Sequence, residues 1–581
     1  MLRAVRAGGL TAVLDGVDLR YVRTGDVELV RRIYVAVRDR NWNTIPGVVS
    51  EVELEAGDDS FEARFSVRHT SHDTDFSWAG SIVGDAYGRI VFAMDGRGER
   101  DMLYNRVGFC VLQPWRECAG RPFRGTTPDG PVDGTLPDLV APQGFENGVY
   151  VPLFPSVSRL EIDYAEGPTA VFEFDGDLFE TEDQRNWTDA SFKTYCTPLA
   201  EGFPRELKEG QELSQTVTVS AVGEIFAAAE EREPRLVVGA PTGEHVPPVG
   251  IALGGRDPSG AELDALRAVA PAHVRVDVHV ADATWRDELA RGLRLCADTG
   301  AALELALFVR LGDDLEPLRE ALAGAEVARV LVAPEGAQTV TDEETTPPEL
   351  VAYVRAGLAL EGVPVAGGTD MYFCELNRTR PRVEELDGVF WSQNSQVHAF
   401  DDVSLLETLE AQGEQVRAAR SFAGGKQLFV GPVTLKRRYN VNATVADAEE
   451  DPPDPRQALP IAAAWTAASA KHLAEQGASA VTYFETVGPR GLVDGDERFP
   501  AQRVLADVCA LRGAEILACE TSRPLDVAGL AVRANGTTTL LAANLTPEPQ
   551  RIEVSGFGGT DEIDLAPYEV ARIDTETRSE P

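Results

Sequence analysis

Two patterns of apolar and polar positions divide the chain. Up to about residue 235 the two kinds alternate with a period of two. They do so over 27–37, 45–54, 61–69 and 74–92, then 149–152, 159–164, 170–174 and 215–222, with Gly, Asp and Asn between the runs. Long helical periodicities are missing, so the pattern predicts a large antiparallel β-sandwich. From Val249 onward short apolar runs alternate with amphipathic ones. The predicted strands are 249–254, 274–280, 302–309, 327–334, 363–370, 388–393, 427–433 and 478–485. Between them lie helix patterns at 261–270, 285–299, 315–323, 348–360, 405–419 and 460–476. Eight β/α units fit a (β/α)8 barrel, which takes roughly 250 residues. An open doubly wound sheet is the competitor, but no Gly-rich phosphate loop follows the first strand. Beyond residue 515 two apolar runs flank Asn535-Gly536, a strong hairpin signal. The expected fold is therefore multidomain, α/β plus all-β. A β-sandwich (1–235) and a small C-terminal β-domain (516–581) flank a central (β/α)8 TIM barrel (236–515). The Pro- and charge-rich stretch 223–247 reads as a linker.

Polar residues interrupt this pattern at informative places. In the second barrel strand, H-V-R-V-D-V-H-V, the valines would pack on helices while Arg275, Asp277 and His279 point inward. Inward charges need partners, so this layer is either a binding site or the salt-bridge lattice beneath one. The last strand, A-S-A-V-T-Y-F-E, places Val481, Tyr483 and Glu485 on one face by simple alternation. It delivers Glu485 to the C-terminal mouth, where such barrels do chemistry. In the N-terminal region, 69–78 and 179–195 are unusually polar and aromatic. They read as a carbohydrate-facing surface, as a loop leaning over the neighbouring domain's pocket, or as polar loops pinned by their own turns.

Composition narrows the function classes. A net charge of −40 argues against nucleic acid and anionic membranes as partners. Seven widely spaced Cys with no C-x-x-C pair argue against a disulfide framework or zinc module. No secretory h-region opens the chain, and no run approaches the ~20 apolar residues of a membrane span. The expectation is a soluble cytoplasmic protein needing no cofactor and no metal.

Candidate chemistry lies just after the barrel strands. Glu335 follows strand four. Asp370, Tyr372, Glu375, Asn377 and Arg378 follow strand five. Gln393, Asn394, Gln396 and His398 follow strand six. Thr434, Lys436, Arg437 and Asn440 follow strand seven, and Glu485 ends strand eight. Two carboxylates across a barrel mouth suit a glycosidase, which would pair Glu335 with Glu485. Strand seven instead carries cations suited to a developing oxyanion. A carboxylate base, water and a cationic oxyanion site would open an ester or lactone. No G-x-S-x-G elbow is present. Asp277-x-His279 reads as an interior pair or a metal site.

Five segments carry a family resemblance: N-R-V-G-F-C-V-L (Asn105–Leu112), D-Q-R-N-W-T-D-A-S-F-K-T-Y (Asp183–Tyr195), F-C-E-L-N-R (Phe373–Arg378), S-Q-N-S-Q-V-H-A-F-D (Ser392–Asp401) and Y-F-E-T-V-G (Tyr483–Gly488). Together they resemble the D-apionate lactonase family, with Ser395 standing where the family form has Pro. The resemblance implies hydrolysis of the sugar lactone D-apionolactone to D-apionate, in the catabolism of apiose. The residues then suggest Glu485 or Glu375 as general base, with Glu335 the other candidate carboxylate. Lys436, with His398 or Tyr372, would stabilise the oxyanion. Asp370, Asn394, Gln396 and Arg437 would bind substrate.

Overall fold

The computed structural model describes residues 2–146, 149–164, 167–227, 233–336, 345–441, 451–557 and 560–576. The chain forms two compact units. One contains 1–186, 190–231 and 442–448; the other contains 187–189, 232–441 and 449–581.

The first unit is built on two antiparallel sheets. One runs from Leu2–Ala7 through Val27–Asp39 and Met102–Pro114 to Ser191–Tyr195 and Glu180–Asp183; the other runs from Gly130–Thr135 through Glu212–Val222 to Gly47–Ala56. Alternation puts one face of each sheet into a shared core, which includes Leu19, Ile33, Phe109 and Val111 from one sheet and Phe65, Phe92, Phe172 and Val217 from the other. The polar stretch 69–78 is a hairpin. His69 is buried, its Nδ1 2.8 Å from the Ile45 carbonyl, and its Nε2 accepts the Trp78 indole N–H at 3.1 Å. The stretch 179–195 is mostly buried sheet rather than loop. Some of its charges pair within the stretch, with Arg185 donating to both oxygens of Asp183 at 2.9 and 2.8 Å.

In the second unit eight parallel strands close a barrel: β1 (Val249–Ala252), β2 (His273–His279), β3 (Ala302–Val309), β4 (Val327–Pro334), β5 (Val365–Gly368), β6 (Gly388–Asn394), β7 (Gln427–Thr434) and β8 (Ala480–Glu485). Residues of one parity face the helices, and those of the other fill the interior in layers. An apolar cluster inside the barrel contains Ala306, Phe308, Leu331, Ala333, Ala366, Phe390, Phe429 and Ala480, and reaches the C-terminal strand ends at Phe308 and Ala333. Nearer the N-terminal ends of the strands lies a polar layer. Glu304 accepts from Thr482 Oγ1 at 2.6 Å and pairs with Arg329, while His273 Nε2 lies 2.8 Å from Thr482 Oγ1. Gly250 makes room for this imidazole, because a Cβ there would stand 2.2 Å from the ring and 2.5 Å from the His273 carbonyl.

The segment 235–245, expected in a linker, is a strand. Arg235–His245 pairs antiparallel with Glu515–Thr521 and parallel with Gln550–Ser555 in a seven-stranded sheet. In that sheet Val527–Ala534 and Thr537–Asn544 are joined at Asn535-Gly536. Both turn residues have positive φ, 52° and 79°, as a two-residue primed turn requires. No helix among the described residues is long and apolar enough to cross a membrane.

His273 generates a pH prediction. Burial is the main cause that pushes its imidazole from 6.5 down to about 3, so it folds neutral. Below about pH 6.5 the unfolded chain takes up a proton that the folded chain refuses, and stability falls with pH. His273→Gln should make this slope shallower between pH 6.5 and 4.5, as followed by urea unfolding. Equal slopes would contradict a neutral buried His273.

Candidate active site

Four charged side chains cap the barrel interior towards the C-terminal ends of the strands. Arg275 donates through Nε to Asp277 at 2.7 Å, through Nη2 to Asp370 at 2.5 Å and through Nη1 to the Gly431 carbonyl at 2.7 Å. Arg438 donates to Asp370 at 2.9 and 3.0 Å and to Asp277 at 2.5 Å. Two guanidiniums and two carboxylates thus form a closed, neutral ring. Burial works against the charge on Asp277, but the nearby Arg275 and Arg438 hold its carboxyl down at about 2. Burial likewise opposes the charge on Arg438, yet Asp370 and Asp277 hold its pKa above the ordinary value. Gly431 can turn its carbonyl to Arg275 because its φ of +153° suits glycine, and a Cβ there would sit 2.7–2.9 Å from Thr482.

Above this ring opens a cavity of about 140 Å³, the size that holds one small ring. Its lining includes Asp277, Lys436, Arg438, Asp454, Glu485 and Arg490. Two strand irregularities shape it. On β8 the pairing with β1 steps from Ile251↔Tyr483 to Ala252↔Glu485, which leaves Phe484 as an extra residue at φ +44°. This bulge resets the alternation. Tyr483 faces the helices, its hydroxyl 2.8 Å from that of Ser469, whereas Glu485 turns inward beside Ala252 and lines the cavity. Simple alternation had put both on one face, so that expectation is corrected. Glu485 is half-buried; its N–H donates to the Arg490 carbonyl at 3.2 Å, and Gly254 N–H donates to Thr486 Oγ1 at 2.9 Å. A register shift on β7 likewise brings Thr434 to the cavity. Beyond the strand, Thr434, Lys436 and Arg438 all line it. The ammonium of Lys436 has no hydrogen-bond or ion-pair partner among the described residues.

Of the residues given catalytic or substrate-binding roles from the sequence, the cavity brings together only Glu485 and Lys436, with Arg275, Asp277 and Thr434 from the wider candidate set. Asp370 is buried in the charge ring beneath it, held also by the Tyr439 hydroxyl at 2.9 Å. The Tyr372 hydroxyl donates to the Tyr439 carbonyl and accepts the Arg438 N–H, and burial pushes its phenol well up. Glu375 is buried at the start of helix Phe373–Arg378, where it accepts the Tyr372 N–H at 3.2 Å. Asn394 is buried and accepts the Gln396 N–H, and Gln396 is held by the Leu435 carbonyl, Asp454 and Arg456. Arg437 forms a two-pronged pair with Asp451, both bonds 2.9 Å. His398 Nδ1 lies 2.5 Å from Asp189. Glu335 lies 3.2 Å from His279 Nδ1 and does not line the cavity. Ser395 Oγ accepts from Gln412 at 3.3 Å, a bond that Pro would lack.

Sequence reasoning missed five polar cavity residues, among them Glu288 on helix Trp285–Thr299, which gave no signal. Arg438 carried a signal, since it continues the two-residue step from Thr434 through Lys436 while Arg437 falls on the other side. Asp454, Gln457 and Arg490 carried none. Among the described residues no group of three or more His, Cys, Asp and Glu is placed to hold a metal ion.

Fold and cavity define a β/α-barrel protein with carboxylates and cations gathered at the C-terminal mouth of its strands. Family models match most of the chain: the D-apionate lactonase N-terminal domain at residues 1–224, the TIM barrel domain at 249–513 and the C-terminal immunoglobulin-like domain at 524–573. The chain belongs to the D-apionate lactonase family. It is 27% identical to the D-apionate lactonase of Brucella anthropi, covering 98% of this chain and 96% of that protein. Solved structures with a similar fold include a GH30 endoxylanase from Clostridium papyrosolvens C71, at 10% identity and a TM-score of 0.40, covering 59% of this chain and all of that one. A β-arabinopyranosidase is 11% identical with a TM-score of 0.33, covering 99% and 98%. No functional statement is drawn from these two.

The ring of charges predicts the effect of breaking it. Asp370→Asn leaves two buried guanidiniums short of a counter-charge and should cost about 3 kcal/mol, seen as a lower urea midpoint. Unchanged stability with weaker substrate binding would instead make Asp370 a substrate ligand.

Proposed function

We propose that the protein is a carboxylic-ester hydrolase (EC 3.1.1) that opens D-apionolactone to D-apionate in apiose catabolism. The observation that carries the reading is one cavity holding both a half-buried carboxylate, Glu485, and an ammonium with no partner among the described residues, Lys436. These are the two charges that water attack on a lactone carbonyl needs. Membership of a lactonase family supports the substrate class.

In this mechanism Glu485 takes a proton from a water molecule as its oxygen attacks the lactone carbonyl. The carbonyl oxygen gains negative charge as the tetrahedral intermediate forms, and Lys436 stabilises it, with Arg438 adding positive potential from the rim of the ring. Asp277 stays ionised, because both its oxygens are committed to guanidiniums. It therefore cannot compete as the base, but it can accept a sugar hydroxyl along with Thr434 and Gln457. Collapse of the intermediate breaks the bond to the ring oxygen and yields the hydroxy acid.

Glu485→Gln should lower kcat on D-apionolactone by ~10²–10⁴ with little change in stability. Lys436→Met should lower it by ~10²–10³. Proton release in weak buffer measures both. Full activity in Glu485→Gln would remove this residue as the base.

A further inference from the structure

Hydrolysis of an alkyl lactone has a second proton problem, which the cavity lining does not answer. The leaving ring oxygen is a poor leaving group unless it gains a proton as its bond to carbon breaks. Resting on the lactonase reading above, we infer that His279, held by Glu335, is the general acid that supplies this proton.

The placement follows from β2. Arg275, Asp277 and His279 succeed one another on the inward face, each pair separated by about 6.6 Å along the strand. Asp277 lines the cavity, and His279 follows it by one inward step along β2 toward the C-terminal end, beyond the lining itself. Its ring is stacked on Phe308, with centroids 4.0 Å apart and planes 6° from parallel. One face is therefore covered and the ring's tilt is fixed, while the side chain keeps 34% of its exposure. Nδ1 lies 3.2 Å from Glu335 Oε1. A carboxylate can only accept, so Nδ1 carries a proton and Nε2 is left to exchange one with substrate. Glu335 is itself anchored, its N–H donating to the Val309 carbonyl at 3.1 Å at the end of β3. Its second oxygen, Oε2, is buried and has no partner among the described residues.

The proton balance closes. Glu485 removes one proton from water as the carbon–oxygen bond forms. The imidazolium of His279 gives one through Nε2 to the ring oxygen as that bond breaks. Glu485 then releases its proton to solvent and His279 regains one, so the net reaction is lactone plus water to hydroxy acid. In this scheme His279 is the catalytic residue and Glu335 the positioning residue.

The test separates proton donation from packing. In the full-length protein, His279→Asn should lower kcat on D-apionolactone by ~10²-fold with KM little changed. Dihydrocoumarin, whose leaving phenolate needs no proton, should be opened nearly as fast as by the unaltered protein. Imidazole added to His279→Ala should restore part of the lost lactone turnover, which decides the same point without the aryl lactone. Glu335→Gln should show the same selectivity for the alkyl lactone at smaller size. Equal losses on both lactones together with no rescue by imidazole would reduce His279 to a packing partner of Phe308 and overturn the assignment. An unaltered protein that opens no lactone would overturn the lactonase reading, and this assignment with it.

Discussion

The barrel of this protein has to bury charge. Arg275 sits on the inward face of β2 with essentially no exposure, and nothing in a hydrophobic interior can hold a guanidinium there alone. Asp277 and Asp370 accept from it, together with a carbonyl that Gly431 can turn inward, and Arg438 donates to the same two carboxylates. The ring they form is neutral, and it spans β2, the segment after β5 and the segment after β7. It forms the floor of the polar cavity. Every carboxylate oxygen in it accepts a guanidinium hydrogen bond, which fixes its geometry. On the cavity side of this floor, Asp277 is held as an anion by the two guanidiniums.

On that floor the active groups are set by departures from regular strand geometry. Without the bulge at Phe484, Glu485 would point with Tyr483 toward helix Pro460–Glu475. A non-glycine residue at φ +44° is a strained arrangement, and here it coincides with the carboxylate to which we give the central chemical role. The shift on β7 serves the same end for the strand that leads to Lys436. Regular parts of the barrel supply stiffness, and the two irregular strand ends supply direction.

How much of this is legible in the sequence depends on the range of the interaction. The strand runs 302–309 and 327–334 end where the structure ends them, because each is a buried apolar run bounded by polar residues. The valine alternation in β2 correctly turns Arg275 and Asp277 inward. Glu485 reaches the mouth as expected, but through a bulge that no pattern in A-V-T-Y-F-E announces. Glu375 looked catalytic because it is acidic and follows β5, yet its spacing from Tyr372 also fits a helix N-terminus, and that is the role it takes. Arg437 and Arg438 are adjacent and chemically identical, and only the two-residue step past the strand end tells them apart. His398 finds Asp189, 209 residues away in sequence, a pairing that single-chain reading cannot anticipate. Asp454, Gln457 and Arg490 reach the cavity from loops for the same reason.

The central claim is that this cavity opens sugar lactones by water attack rather than cleaving glycosides. Proton release at near-neutral pH from a panel of aldonolactones, D-apionolactone among them, run beside aryl glycosides with chelator present, addresses it most directly. Rapid opening of D-apionolactone with no glycoside cleavage is the predicted result. Glycoside cleavage with inert lactones would contradict the account and turn attention back to Glu335 and Glu485 as a carboxylate pair.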